Sequence, residues 1–518
     1  MKRIFYFISC CLFLMLWSSC RKDFDFTPSN GMLTFSKDTV YLDTIFTNIG
    51  SSTYNLKVYN NSNQDIVIPS LKLALGEASD YRLNVDGMAG KVFENVEILA
   101  KDSMYIFIET TIDYSDFSNP ESTYLYTDEI EFTSGTSSQK VDLVTLVKDA
   151  VFIYPSKDDE GIIETLTVEV DGELVKTEIQ GRYLSEEELN FTNDKPYVIY
   201  GYAAVPNNKT MTVDAGSRLH FHANSGLFVG EGASLQVNGS YSYDQENLEN
   251  EVVFEGDRLE PAFSDVPGQW GTIWLYQDSR NNTFNFATIK NATVGILSES
   301  NPNDNKLTLK NTQIYNSSNF GVLGRNTSIT AENLVINNSG QSSFAATLGG
   351  RYNVTQSTIV NYWSNSFRQY PALLINNYTL DEENTAYLAD LTEANFNNCI
   401  IYGNDNPEFI IDELEDDEVV FNFKFTNCLA LFQNSSSNNF TGPNYDFDDT
   451  THYENMIFNE NPEFKDPNTN QLIIGEDSKA IDQGNLVFAN QVPLDILNKN
   501  RTAAPDLGAY QHTVFEAE

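Results

Sequence analysis

The chain is 518 residues long and carries a formal net charge of −42, with 73 acidic residues against 31 lysines and arginines. So acidic a balance excludes the broad basic patches that nucleic acid or an anionic lipid surface requires. With 34 Phe, 27 Tyr and no long amphipathic helical pattern, the composition points to an all-β protein too long for a single compact core.

Residues 1–19 read as a targeting segment. Lys2 and Arg3 open it, and the mostly apolar run from Ile4 to Trp17 is too short to span a bilayer. Ser18-Ser19-Cys20 resembles the lipobox of bacterial lipoproteins, although Trp17 stands where an aliphatic residue is usual. The resemblance implies that Cys20 is the lipidated first residue of the mature chain. The competing reading is an ordinary secretory signal with an incidental cysteine. Lys22-Asp23 looks like the short signals that send Bacteroidetes lipoproteins to the outer surface. The expected location is therefore the outer membrane, lipid-anchored and facing outward.

Residues 20–31, with Pro28 and Asn30-Gly31, read as a tether. From 32 to 150 short alternating runs such as Tyr54–Tyr59 and Met104–Thr110 are divided by polar turns, the pattern of a β-sandwich. A Cys…Trp…Cys core is missing, so an immunoglobulin-like accessory module is predicted rather than an antibody-type domain. Residues 151–195 are acidic and read as a linker packed on the first coil of a solenoid, with Ser185-Glu186-Glu187-Glu188 opening a short helix.

From 196 to 455 the sequence predicts a right-handed parallel β-helix. Met211–Phe221 and Leu227–Val237 align at a shift of 16 and read as early, short coils. A six-residue register then recurs at Phe284–Ile289, Leu309–Ile314, Ala331–Ile336, Val354–Ile359, Phe396–Ile401 and Phe425–Ala430. The starts lie 25, 22, 23, 42 and 29 residues apart. A period near 22 marks a solenoid of stacked strands. The third position is usually Asn or Gln, which suits a sharp left-handed bend and an amide bonded to the coils above and below. Cys399 and Cys428 share the small inward position. A disulfide between neighbouring coils is one reading, and two buried thiols acting as small apolar fillers is the commoner one. Residues 456–518 break the period and read as a C-terminal cap over the last coil.

Asn398–Ile401, Pro462–Phe464, Ser478–Asp482 and Pro505–Tyr510 together resemble a recurrent arrangement in bacterial β-helix proteins. With Asp265–Trp270, Gly349–Tyr352 and Asn193–Pro196, they resemble surface lipoproteins of Bacteroidetes that join an immunoglobulin-like domain to a right-handed parallel β-helix. The resemblance implies fold and location, and it carries no substrate or catalytic residue with it.

Candidate sites are suggested by residue type. Trp363, Arg368 and Tyr370, with Tyr362 and Phe367, lie beside an insertion containing Asp381-Glu382-Glu383, and rings with an arginine suit sugar faces and hydroxyls. The same rings could equally seal the solenoid's side. A glycan-binding or structural role is expected, with Trp363, Arg368 and Tyr370 as ligand contacts. One alternative is a polysaccharide lyase or glycoside hydrolase acting on an acidic polysaccharide. It would draw on Arg351 or Arg368 as base and on Asp381 and Glu382 for Ca²⁺, against the plainer reading of surface ion pairs. Another is a scaffold in an envelope complex. His220 and His222 are expected on one exposed face, but no third ligand completes a metal site. The acidic run Asp412–Glu418 reads as a solvated loop.

Overall fold

The computed structural model describes residues 26–29, 33–113, 123–134, 136–170, 173–434, 440 and 442–515. The segment 1–19 and Cys20 lie outside the described residues. The chain divides into two compact units, Met1–Asp149 and Ala150–Glu518.

The first unit is a β-sandwich. One sheet contains Thr39–Phe46, Ile66–Leu73, Val92–Ile98, Thr123–Ser134 and Ser137–Lys148; the other contains Tyr54–Tyr59, Tyr81–Val85 and Ser103–Thr110 with two short strands. Alternation along the strands sends Val40, Leu56, Ile106 and Leu143 into one shared core. Tyr81 crosses that core, its hydroxyl donating to the Tyr126 carbonyl and meeting the Thr145 hydroxyl at 3.0 Å.

The second unit is a parallel β-helix built from one 26-stranded sheet that winds on itself. Each coil contributes to three faces. Face A stacks Leu219/Phe221, Phe254, Ile289, Ile314, Ile336, Ile359, Ile401 and Ala430 inward. Face B passes through Tyr202–Val205, Gly226–Val229, Trp270–Leu275 and Phe344–Ala346. Face C passes through Thr210–Asp214, Ser234–Asn238, Phe284, Leu309, Ala331, Val354, Phe396 and Phe425. The apolar side chains of all three faces meet in one continuous core. Cys399 and Cys428 sit in it as free buried thiols.

The corner from face C to face A is one residue with positive φ: Phe286, Asn311, Asn333, Gln356, Asn398 and Asn427 all fall between 45° and 53°. These are the third positions of the six-residue register. A seventh copy, Tyr453–Phe458, has Asn455 at φ 53° and pairs with the strands below, so the solenoid runs past 455.

Three expectations need correction. Residues 151–195 are not a linker but the first coil: Val151–Ile153, Gly181–Tyr183 and Asn190–Phe191 pair in parallel with Tyr197–Ile199, Tyr202–Ala204 and Thr212–Val213. An inserted hairpin, Thr165–Val170 with Glu173–Tyr183, interrupts this coil, and most of the acidic residues lie on either side of it, as at Asp158–Glu160 and Glu186–Glu188. The shift of 16 does not relate stacked coils. Met211 and Val213 stack on Leu235 and Val237, so the shift matched strands two apart in the winding, Val213 of face C with Val229 of face B and Leu219 of face A with Leu235 of face C. The C-terminal cap covers a flank rather than the last coil. Leu472, Ile474, Ala480, Ile496, Leu507 and Tyr510 lie on the outward residues Val335, Val360, Ile400 and Leu429 of face A.

Ile336 is wholly buried between Ile314 and Ile359. Ile336→Asp places a carboxylate there with no partner, at a cost of several kcal/mol. The expected outcome is loss of the solenoid's cooperative melt in calorimetry; a wild-type melting temperature would refute the stacked-core arrangement.

Candidate functional site

Two of the three ligand contacts expected in the insertion are structural. Trp363 is 8% exposed, its Nε1 donates to Ser366 Oγ at 3.0 Å, and its ring edge packs on Gly340. Arg368 is 5% exposed and grips Glu408 with both terminal guanidinium nitrogens, Nη1 and Nη2, at 2.8 and 2.6 Å. Glu408 is fully buried and also accepts from the backbone of Ala372 and Asp405. Burial pushes its carboxyl above the ordinary range, against the opposing pull of Arg368. Of the three, only Tyr370 presents a substantially exposed ring, with Phe367 beside it in sequence more exposed still. The correction has a physical cause. An insertion leaving a coil must bury its own root, and the large side chains nearest the coil do it.

The residues offered for a lyase do not converge. Asp381 shapes a turn, accepting from the backbone of Glu383 and Thr385 at 2.9 and 2.8 Å, and those bonds hold its carboxyl below the usual range. Arg351 sits on face C, its Nη2 3.1 Å from Ser328 Oγ, whereas Arg368 is locked beyond face A. His220 and His222 do not share an exposed face. His220 is buried beside Glu255, while the exposed His222 meets Asp257 at 2.8 Å and stacks on Tyr200. In the acidic run, Asp412 accepts from the Tyr378 hydroxyl and Glu413 from Asn444. Among the described residues no group of three His, Cys, Asp or Glu is arranged to hold a metal ion.

The feature that spacing alone did not expose is the outer side of face C. Period two sends alternate residues outward, and the parallel register lines them up coil over coil. One row runs Asn190, Thr212, Gln236, Thr283, Thr308, Thr330, Asn353, Asn395 and Lys424. The next runs Asp214, Asn238, Asn285, Lys310, Glu332, Thr355, Asn397, Thr426 and Glu454. Most members are amides or hydroxyls, and apart from Asp214 the charges pair off: Lys310 with Glu332 at 2.9 Å and Lys424 with Glu454 at 2.7 Å. Neighbours bond along the stack, as Thr212 Oγ1 does to Asn190 and Thr283 Oγ1 to Gln236.

Toward its C-terminal coils this face is a trough with two walls. On one side stands the helix Leu486–Gln491, capped by the Asn485 side chain, which accepts from Val487 N. Asn485 is tied to the corner residue Asn398 by two hydrogen bonds of 2.8 and 3.0 Å. Between helix and sheet lies a cleft of about 380 Å³ lined by Asn353, Asn395, Lys424, Glu454 and Gln491. On the other side the chain around Leu388–Thr392 bounds a second cleft of about 410 Å³ with Asn303 and Asn326. Asn353 is exposed and Asn395 half-buried, while Thr355, Asn397 and Thr426 are buried. The trough can offer amide and hydroxyl donors and acceptors at the strand repeat of about 4.8 Å. Arg351 and its register partner Glu393 lie in the same sheet, two residues before Asn353 and Asn395.

No protein-family model and no curated protein matches the chain. Among solved structures it is similar to a family 123 glycoside hydrolase from Clostridium perfringens, at 10% identity and a TM-score of 0.16, over 23% of this chain and 29% of that one. It is similar to the VesB protease of Vibrio cholerae at 12% identity and TM-score 0.15, over 23% and 32%. It is similar to the catalytic unit of a thermostable family 87 α-1,3-glucanase from Streptomyces thermodiastaticus at 10% identity and TM-score 0.19, over 73% and 75%. The chain thus spans less than a third of the length of the first two, and at these scores the likeness carries no argument about activity.

Arg368→Ala leaves the Glu408 carboxylate buried without its cation, which costs about 3–5 kcal/mol. A lowered melting temperature of the full chain is expected, and an unchanged one would show that the pair does not support the insertion.

Proposed function

We propose that the chain is an outward-facing lipoprotein, anchored at Cys20, that binds an extended glycan along the trough of face C. The observation that carries this is the pair of outward rows of Asn, Thr and Gln in parallel register, walled by the helix Leu486–Gln491. A sugar chain presents hydroxyls at a regular repeat, and side-chain amides and hydroxyls both donate and accept, so a regular ladder can bond successive residues. Lys424 and Glu454 in the trough pair with each other, Asp390 lines its second cleft, and the whole chain carries −42, so a neutral glycan is favoured over an acidic one, which the field would repel. The ladder replaces Trp363 and Arg368 as the contact surface.

Binding is tested on an array of neutral and acidic glycans with the full mature chain. Replacing both Asn353 and Asn395 by Ala should weaken binding about tenfold or more, from several hydrogen bonds of about 1 kcal/mol each, and leave the melting temperature unchanged. Tyr370→Ala should bind like wild type. Absence of binding, or full binding by the double variant, would overturn the proposal. Shortening of a polysaccharide that stops in Arg351→Ala would establish the enzymatic alternative instead.

The anchor has its own check. Cys20→Ala should move the protein from the membrane fraction to the soluble one; a variant that stays fully membrane-bound would refute lipidation at Cys20.

A further inference from the structure

The inserted hairpin of the first coil builds a separate cleft on face B, at the opposite end of the solenoid from the helix-walled trough. Its strand Glu173–Tyr183 joins the sheet at Gly181–Tyr183, and Leu166, Val168 and Ile179 of the hairpin pack on Ala204 and Phe228. Beside this contact the hairpin leaves a cleft of about 500 Å³, lined among others by Glu178, Gln180, Tyr202, Asn224, Thr272 and Thr293. That volume falls in the usual range of small-ligand pockets.

The floor is shaped by two glycines. A Cβ on Gly226 would stand 2.7 Å from Tyr202 Cε1, and one on Gly271 would stand 2.5 Å from the Tyr202 hydroxyl oxygen. The Tyr202 ring therefore lies along the sheet across the two coils that come after its own, a position open only because both lack a side chain. Thr272 is 8% exposed, and its hydroxyl has no hydrogen-bond partner. A buried hydroxyl without a partner is costly. Here the register also slips between Thr272 and Ile273 against Val294 and Ile296, a bulge that passes over Gly295. Bulges of this kind re-aim side chains next to binding sites.

The chemistry narrows the ligand. The lining offers an aromatic face with Ile179 and Val294, a carboxylate, two amides and two threonine hydroxyls, and it includes no lysine or arginine. Glu178 disfavours an anion such as a uronic acid or a phosphate. We infer that this cleft is a second binding site, specific for a single neutral hexose unit, with Tyr202 under the sugar's apolar face and Gln180, Asn224 and Thr293 bonding its hydroxyls. The site shares no residue with the trough of face C and does not depend on the reading of that face.

The test uses the full mature chain and saturation-transfer NMR with the methyl glycosides of glucose, galactose and mannose, and with glucuronate as the anionic probe. At least one neutral glycoside should bind and glucuronate should not. Tyr202→Ala should weaken binding about tenfold. Gln180→Ala, at an exposed rim position that leaves the fold intact, should weaken it several-fold, and the double variant at Asn353 and Asn395 should bind the glycoside like wild type. No binding of any neutral glycoside, equal binding of glucuronate, or binding unchanged by Gln180→Ala would overturn the inference.

Discussion

The structure of the second unit depends on one bend repeated in coil after coil. Between faces C and A the chain turns at a single residue in the left-handed region, and the side chain there is Asn or Gln in all but one of the register copies. Asn pays little to adopt that conformation, and its amide then bonds the neighbouring coil: Asn333 Nδ2 to the corner Asn311 at 2.8 Å, and Asn311 Nδ2 to Asn285, beside the Phe286 corner, at 3.0 Å. A corner so tight fixes which residues point inward on both adjoining strands. Moving it by one position would turn the whole apolar set outward.

The C-terminal cap uses the same ladder as its attachment. Arg501, fully buried, donates from Nη2 to Asn333 Oδ1 at 2.9 Å, and burial pushes its guanidinium down to about 10. Gln356 Nε2 donates to the carbonyls of Asp506 and Gly508, and Asn398 exchanges bonds with Asn485. At the next corner, between faces A and B, Asn470 donates to Asn316 and accepts from Asn338. The motifs at Ser478–Asp482 and Pro505–Tyr510 meet on this flank, where Leu507 N donates to the Ala480 carbonyl. Gly508 takes φ 87° and lies so close to Thr358 and Ile400 that a Cβ would strike both. The same attachment sets the helix Leu486–Gln491 over face C and so makes one wall of the trough.

The two insertions contribute through their roots as much as through their tips. Trp363 and Arg368 with Glu408 fill the space where the chain leaves face A, with the rings of Phe367 and Tyr370 exposed, and the hairpin Tyr378–Leu380 with Ala386–Leu388 leaves the coil only after the face B strand Leu373–Asn376. In the first coil the hairpin Thr165–Tyr183 folds back over face B in the same manner and leaves a cleft beside its root. Large side chains next to an insertion serve packing first, because the coil surface they leave must be covered.

The all-β class, the stacked coils, the inward isoleucines and the corner amides were all legible in the sequence, because they rest on local rules: period two, the tolerance of Asn for positive φ, and a repeat that no single coil can satisfy alone. The copy at Tyr453–Phe458 was legible too, and the irregular segment around it hid it. What the tertiary structure alone decided is which outward side each segment covers. Face A and face C have equally regular outward rows, yet Val335, Val360 and Ile400 lie under the cap while Asn353 and Asn395 line an open trough. Likewise Trp363 reads as an exposed anchor until Ser366, Gly340 and Asn404 close around it. Periodicity reports whether a side chain points into or out of its own coil; what lies on its outer side is set by contacts more than a hundred residues away, such as Asn337 with Asn470, and no local rule carries them.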